Sequence, residues 1–179
     1  MRILFVTGNK NKLREAKAII PEIEGLDIDL QEIQELNTKK VIEFKLREAI
    51  KEKPGVDLIV EDQSLIIDGM NGLPGPFIKW FYDSLGLEGI YKMALKFGNQ
   101  KAEAKTIIGF CSAKGEIAFF ESSVKGKIVK ARGDVGWGWD FIFQQDGYKK
   151  TYAEMSMEQK NKLSMRKIAL EKLKKYLKL

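Results

Sequence analysis

The sequence predicts an α/β protein built on a mixed sheet. Short apolar runs alternate with amphipathic helical stretches through the first third of the chain. Two long β-prone stretches around Lys114-Gly115 then fill the middle, and the last third returns to helix. Strand–helix alternation favours parallel pairing, and a long hairpin adds antiparallel strands.

The elements follow in order. Residues 2–6 are a short apolar run, read as a buried strand that breaks at Thr7-Gly8-Asn9. Leu13, Ala16, Ile19 and Ile20 then share one helical face, and Pro21 stops the helix. Leu26, Ile28 and Leu30 alternate, which predicts a second strand over 26–30. Ile42, Leu46, Ala49 and Ile50 predict a helix over 41–53, closed by Pro54-Gly55. Residues 57–60 read as a strand ending in Glu61-Asp62, with a further strand at 65–67. Beyond a Gly/Pro loop at 69–76, helices are expected over 77–85 and 87–97. The hairpin strands are 104–112 and 117–129. Helices over 153–159 and 163–177 complete the chain.

The length, 179 residues, suits one domain over 1–179, or two small lobes sharing one core. No apolar run approaches a membrane span. The N-terminal run turns polar too soon for a signal peptide, so a cytoplasmic location is expected. The sequence holds no histidine, which excludes Ser-His-Asp, Cys-His and HExxH chemistry. Its one cysteine, Cys111, excludes an intrachain disulfide. Acid–base work therefore falls to Asp, Glu, Lys or Tyr, and any metal is a hard, oxygen-liganded ion such as Mg²⁺ or Mn²⁺. Net charge is +6, compatible with phosphate-bearing partners.

Five segments are chemically suggestive. Thr7-Gly8-Asn9-Lys10-Asn11-Lys12 joins a strand to a helix, where unpaired N–H groups and two lysines suit phosphate. It lacks P-loop spacing, and a simple capped turn is the plainer alternative. Glu61 and Asp62 follow an apolar strand, the edge at which open α/β sheets bind ligands. Two adjacent acids there suit Mg²⁺ and water activation, or form a solvated turn; Glu32 is a further candidate carboxylate. The loop Gly72-Leu73-Pro74-Gly75-Pro76 leads to Lys79, and Lys45 lies in the earlier helix; each suits phosphate or simply snorkels. Trp137-Gly138-Trp139-Asp140 offers flat rings for a base, or core packing. Finally, Leu163, Arg166, Leu170, Leu173 and Leu177 form one seam, placing Arg166 among apolar positions. A buried arginine needs either a ligand oxygen or an internal acid.

Together these segments resemble the inosine/xanthosine triphosphate pyrophosphatases. The resemblance rests on Phe5-Val6-Thr7-Gly8-Asn9-x-x-Lys12, Val60-Glu61-Asp62, the 72–81 loop and its flank, Gly138-Trp139-Asp140, and Thr151 to Met155 followed by Lys160-Asn161 and Ser164-x-Arg166. It covers nearly the whole chain. It implies an elongated two-lobed fold around a long mixed sheet, with a central substrate cleft and homodimeric assembly. It implies one pyrophosphatase domain that hydrolyses ITP, dITP or XTP to the monophosphate and pyrophosphate with Mg²⁺. By the same resemblance, Thr7 to Lys12, Lys45 and Lys79 would hold phosphates. Glu32 and Asp62 would hold the metal, and Asp62, supported by Glu61, would accept the proton of the attacking water. Trp137 to Asp140 would form the base pocket, with Lys160 and Arg166 reading the base. Arginine donates and never accepts, so it pairs with a 6-oxo group and opposes a 6-amino group.

Three positions depart from the family pattern. Met165 replaces the usual histidine of Ser-His-Arg, Trp137 stands for the usual phenylalanine, and Phe141 for the usual proline. Met165 removes a polar base contact, so altered base selectivity on the same fold is one alternative. A basic nucleic-acid-binding protein is another, disfavoured because the lysines are spread along the chain. Neither nucleic-acid nor membrane partners are expected.

Overall fold

The computed structural model describes residues 2–179. Its seven strands are β1 (Ile3–Val6), β2 (Ile23–Leu26), β3 (Leu58–Ile67), β4 (Pro74–Gly75), β5 (Lys101–Cys111), β6 (Ile117–Ile128) and β7 (Phe143–Gln145). Its helices are α1 (Lys10–Lys17), α2 (Thr38–Glu52), α3 (Ile78–Lys96), α4 (Met157–Leu163) and α5 (Met165–Leu177). The strands form one sheet in the order β2-β1-β3-β5-β6-β7, with β4 on β3. β1 pairs parallel with β2 and β3, while β3–β4 and β6–β7 pair antiparallel, so the sheet is mixed.

The chain divides into two compact units. The first comprises the segment ending at Asp62 together with Thr106–Ser122 and Arg166–Leu179. Strand alternation builds it in three layers. Ile3, Phe5, Ile59, Ile108 and Phe110 point to one face, where Ala16 and Ile20 of the α1 region and Ala169, Leu170 and Leu173 of α5 cover them. Val6, Leu58, Val60, Ile107 and Cys111 point to the other, covered by Ile42, Leu46 and Ala49 of α2. Each fully buried aliphatic side chain contributes about 1.5–3 kcal/mol. Gly109 lies on the α2 face, where a Cβ would sit 2.8 Å from Ile42 Cγ2; its missing side chain sets how closely α2 approaches.

The second unit comprises Gln63–Lys105 and Ser123–Met165. Its core includes Leu65, Ile67, Ile90, Ala94, Val124 and Ile128, and a ring cluster of Trp139, Phe143 and Tyr152. The expected break between two helices at Gly86 is a kink in α3, where Gly86 has φ 65° and ψ 179°.

Three expectations need correction. The strand expected over 26–30 is β2, which ends at Leu26. Ile28 and Leu30 do pack, half-buried, on the α2-side core, but no strand ladder continues through them. The strands expected at 57–60 and 65–67 are one strand, β3, with Glu61 and Asp62 inside it. Glu61 does not end the strand because its charge is neutralised by Arg166 and Lys12. The helix expected over 153–159 begins only at Met157, because Ser156 caps it. Ser156 Oγ accepts the Gln159 N–H and Gln159 Oε1 accepts the Ser156 N–H, each at 3.1 Å. Residues 152–154 form a separate 3₁₀ turn, and Ser164 (φ −70°, ψ 152°) parts α4 from α5.

Candidate active site

The predicted site residues fall into two groups, one in each unit. In the first unit, Thr7 follows β1, and its N–H donates to Leu26 O at 3.0 Å. Thr7 Oγ1 accepts the Asn9 N–H at 3.1 Å. Asn9 Oδ1 caps α1 by accepting the N–H groups of Asn11 (2.9 Å) and Lys12 (3.2 Å). This is the capped turn weighed above, and it fixes where Lys12 emerges. Gly8 packs against Asp27, whose Oδ1 would lie 2.8 Å from a Cβ there.

Lys12 points at the acids of β3. Its Nζ lies 3.5 Å from Glu61 Oε1 and 3.5 Å from the Glu61 carbonyl oxygen. Burial pulls the Lys12 pKa below its ordinary value; Glu61 and Asp62 act against that, and Lys45 and Arg166 reinforce it. The N-terminal turn and the Glu61-Asp62 pair therefore occupy one electrostatic neighbourhood. On α2, Lys45 Nζ pairs with Glu32 Oε1 at 2.7 Å; the lysine side chain is 13% exposed and the glutamate 61%. Asp62 is half-buried.

Of the two partners weighed for Arg166, the structure supplies internal acids. Arg166 Nε donates to Glu61 Oε2 and Nη2 to Glu61 Oε1, each at 2.9 Å. Nη1 donates to Glu15 Oε2. All three side chains are buried. Burial pushes the Glu61 carboxyl up, but Arg166 and Lys12 outweigh it and hold the pKa below the usual range. Burial likewise works against the Arg166 charge, and Glu61 and Glu15 more than offset it. The result is a buried chain from Glu15 through Arg166 and Glu61 to Lys12.

Glu15 was not among the residues singled out from sequence. Its signal is positional: Lys12, Glu15, Ala16 and Ile19 recur at i, i+3, i+4 and i+7, so a carboxylate lies on the inward stripe of α1.

The second unit holds the other group. Lys160 Nζ pairs with Asp140 Oδ2 at 2.6 Å, both side chains nearly buried. Asp140 Oδ2 also accepts the Trp137 N–H at 3.2 Å. Lys160 Nζ stands 5.2 Å from the Trp137 ring centroid and 5.7 Å from that of Tyr152. Base pocket and core packing were both open for the two tryptophans, and the structure divides them. Trp139 is core, edge-on to Phe143 with centroids 5.6 Å apart, whereas Trp137 stays half-exposed beside Gly138. Tyr152 had no assigned role; it is buried, and its hydroxyl donates to Gln145 Oε1 at 2.8 Å. Met165 is buried and Lys79 is exposed on the first turn of α3.

For Mg²⁺, the donor types fit. Glu32 and Asp62 are carboxylates, and Mg²⁺ is commonly held by one or two carboxylates plus substrate phosphates. Among the described residues no group of three or more Asp, Glu, His or Cys side chains is gathered.

The Ham1 family model matches residues 3–176. Inosine triphosphate pyrophosphatase of Schizosaccharomyces pombe is 43% identical over 179 residues, covering 98% of this chain and 94% of that protein. The Saccharomyces cerevisiae protein of the same name is 42% identical over 190 residues, covering 98% and 95%. A Coxiella burnetii HAM1 protein structure superimposes with TM-score 0.83 at 23% identity, covering 99% of this chain and 98% of that one. The Staphylococcus aureus Ham1 structure gives 0.80 at 24%, covering 99% and 98%. These two likenesses concern the fold. With the family match spanning nearly the whole sequence and the two yeast relatives aligned along almost their full length, the chain belongs to the Ham1 family.

Proposed function

We propose that this chain hydrolyses deaminated purine nucleoside triphosphates (ITP, dITP and XTP) to the monophosphate and pyrophosphate, clearing them from the nucleotide pool. The observation that carries the reading is the position of Lys12. It rises from the capped turn after β1 and lies against Glu61, within the field of Asp62 and Lys45. The similarity to proteins named inosine triphosphate pyrophosphatase supports the substrate class.

The reaction follows from the side chains. Lys12 and Lys45 neutralise the phosphate tail, held with them by the turn from Thr7 to Lys12. Lys79 adds a further phosphate contact. Asp62 accepts a proton from the attacking water as its oxygen bonds to the α-phosphorus. The α–β bridging bond breaks, and its electron pair leaves with pyrophosphate. Glu32 and Asp62 would hold Mg²⁺, which supplies charge neutralisation and lowers the pKa of bound water. Trp137 supplies a face for the purine. Lys160, a donor without acceptors, favours a 6-oxo over a 6-amino group. We assign Arg166 to holding Glu61, since its guanidinium already donates to two carboxylates.

A homodimer in the cytoplasm is part of the same reading. The nucleic-acid alternative finds no support in α5. Lys167 pairs with Glu171, Lys172 donates to the Glu121 carbonyl, and Lys174 to that of Ile19. The direct test is turnover of ITP, XTP, dITP, GTP and ATP with Mg²⁺, following pyrophosphate. Preferential ITP, dITP and XTP hydrolysis with pyrophosphate release is expected. Equal turnover of ATP, or release of orthophosphate alone, overturns the proposal.

A further inference from the structure

Glu32 and Lys45 hold each other at 2.7 Å, although the reading above gives them different ligands, a divalent cation and a phosphate. We infer that this ion pair is a placeholder that binding must exchange, so that metal and nucleotide each improve the site for the other. The inference rests on the proposed roles of these two residues.

The two partners differ in how they are held. Lys45 extends from α2, whose core-facing residues pack on the sheet, and its side chain is mostly covered. Glu32 stands on the irregular segment between β2 and α2, and its side chain is largely exposed. Lys45 and Lys12 are close enough for the Lys45 charge to depress the Lys12 pKa. Two cations thus stand in one neighbourhood, Lys12 against Glu61 and Lys45 against Glu32. Glu61 is fixed by Arg166 and cannot leave cheaply, whereas Glu32 is largely exposed and can turn to solvent, so the Glu32–Lys45 pair is the cheaper of the two to open.

Exchange keeps a partner of opposite charge beside both residues. Lys45 trades a carboxylate for phosphate oxygens, and Glu32 trades an ammonium for a divalent cation. A metal arriving alone must compete with Lys45 for Glu32. A polyphosphate arriving alone must compete with Glu32 for Lys45. Arriving together, each ligand takes the group that opposed the other, and linkage makes the effect reciprocal.

The test measures binding without turnover. Free Mn²⁺ is followed by electron paramagnetic resonance, and inorganic tripolyphosphate in the presence of EDTA by calorimetry. Lys45→Met is expected to tighten Mn²⁺ binding about two- to fivefold, and Glu32→Gln to tighten metal-free tripolyphosphate binding by a similar factor, the weight of an ion pair with one partner in solvent. Removing any nearby cation would also favour Mn²⁺ through the general field, so the deciding comparison is a double-mutant cycle. In a Glu32→Gln background the Lys45→Met effect on Mn²⁺ is expected to vanish. If it persists undiminished, the gain is a field effect and the placeholder is refuted. If Glu32→Gln weakens Mn²⁺ while Lys45→Met does nothing, the metal assignment stands and the placeholder fails. If Glu32→Gln leaves Mn²⁺ binding unchanged, the assignment of Glu32 to the metal fails, and the inference falls with it.

Discussion

Arg166 grips Glu61 through two parallel hydrogen bonds, Nε to Oε2 and Nη2 to Oε1, each 2.9 Å long. The contact joins α5 to β3 across 105 residues of sequence, and Glu15 of α1 closes it from the other side. A bidentate arginine–carboxylate pair is directional, so it fixes the orientation of Glu61 as well as its charge. Asp62, the proposed proton acceptor, is the next residue on the strand.

Arg166→Met should therefore destabilise the protein severely. It removes the guanidinium that both buried carboxylates share, leaving Lys12 at 3.5 Å as the cation beside Glu61, a loss of about 3–5 kcal/mol. Urea denaturation of the variant should show a lower midpoint. Arg166→Lys should recover little, because an ammonium cannot reproduce the fork. A midpoint within error of the parent in Arg166→Met would show that the triad contributes nothing to stability.

Asp62→Asn separates chemistry from folding. Asp62 is half-buried, and the amide is nearly isosteric, so the melting temperature should hold. General-base contributions are about 10²–10⁴-fold, and kcat should fall by that order. Full pyrophosphate release by the variant would remove Asp62 from its role.

Lys12 gives the alkaline behaviour. Burial depresses its pKa below the ordinary 10.5, so in the folded protein it loses its proton at a lower pH than in the unfolded chain. Between those two values the unfolded chain binds more protons, and folding stability gains from this group as pH rises. Below the folded-state pKa both states are protonated, and the cost of burying the charged Lys12 is fully present. Activity moves the opposite way, because neutral Lys12 no longer attracts phosphate. An alkaline fall in kcat/KM is expected below pH 10.5, and Lys12→Arg should shift that limb to higher pH. An unchanged limb in Lys12→Arg assigns it to another group.

Local pattern carried much of this fold but little of its ion pairing. The stripe Ile42, Leu46, Ala49 with Pro54-Gly55 marks α2 well, because helix periodicity and a breaker are both local. The alternation of Ile28 and Leu30 is real, since both side chains face the core, but burial alone does not supply a ladder partner. Glu61 and Asp62 read as a strand end because adjacent acids are costly inside a sheet. The guanidinium that, with Lys12, makes buried Glu61 tolerable there lies at the far end of the chain, and Asp62 is only half-buried. That Arg166 needed an oxygen partner, from a ligand or an internal acid, was legible in its apolar seam; that the partners are Glu61 and Glu15 was not. The tryptophans show the same limit, because composition cannot tell which of two neighbouring rings turns inward.

Those rings give the last prediction. Trp139 packs against Phe143 and Tyr152, and Trp139→Ala should cost about 3–5 kcal/mol of stability, as for other buried large aromatics. Trp137 is half-exposed and leaves the ring cluster intact when truncated, so Trp137→Ala should melt near the parent temperature. If its face stacks the purine, KM for ITP should rise by the equivalent of about 1–3 kcal/mol, and Trp137→Phe should restore most of the loss. Lys160 loses a cation–π partner in the same variant but keeps Asp140 at 2.6 Å, so the donor that discriminates 6-oxo from 6-amino stays in place. The ITP-to-ATP preference should therefore survive Trp137→Ala while the affinity for both falls. A preference that collapses with the ring would mean that Trp137, rather than Lys160, carries the base discrimination.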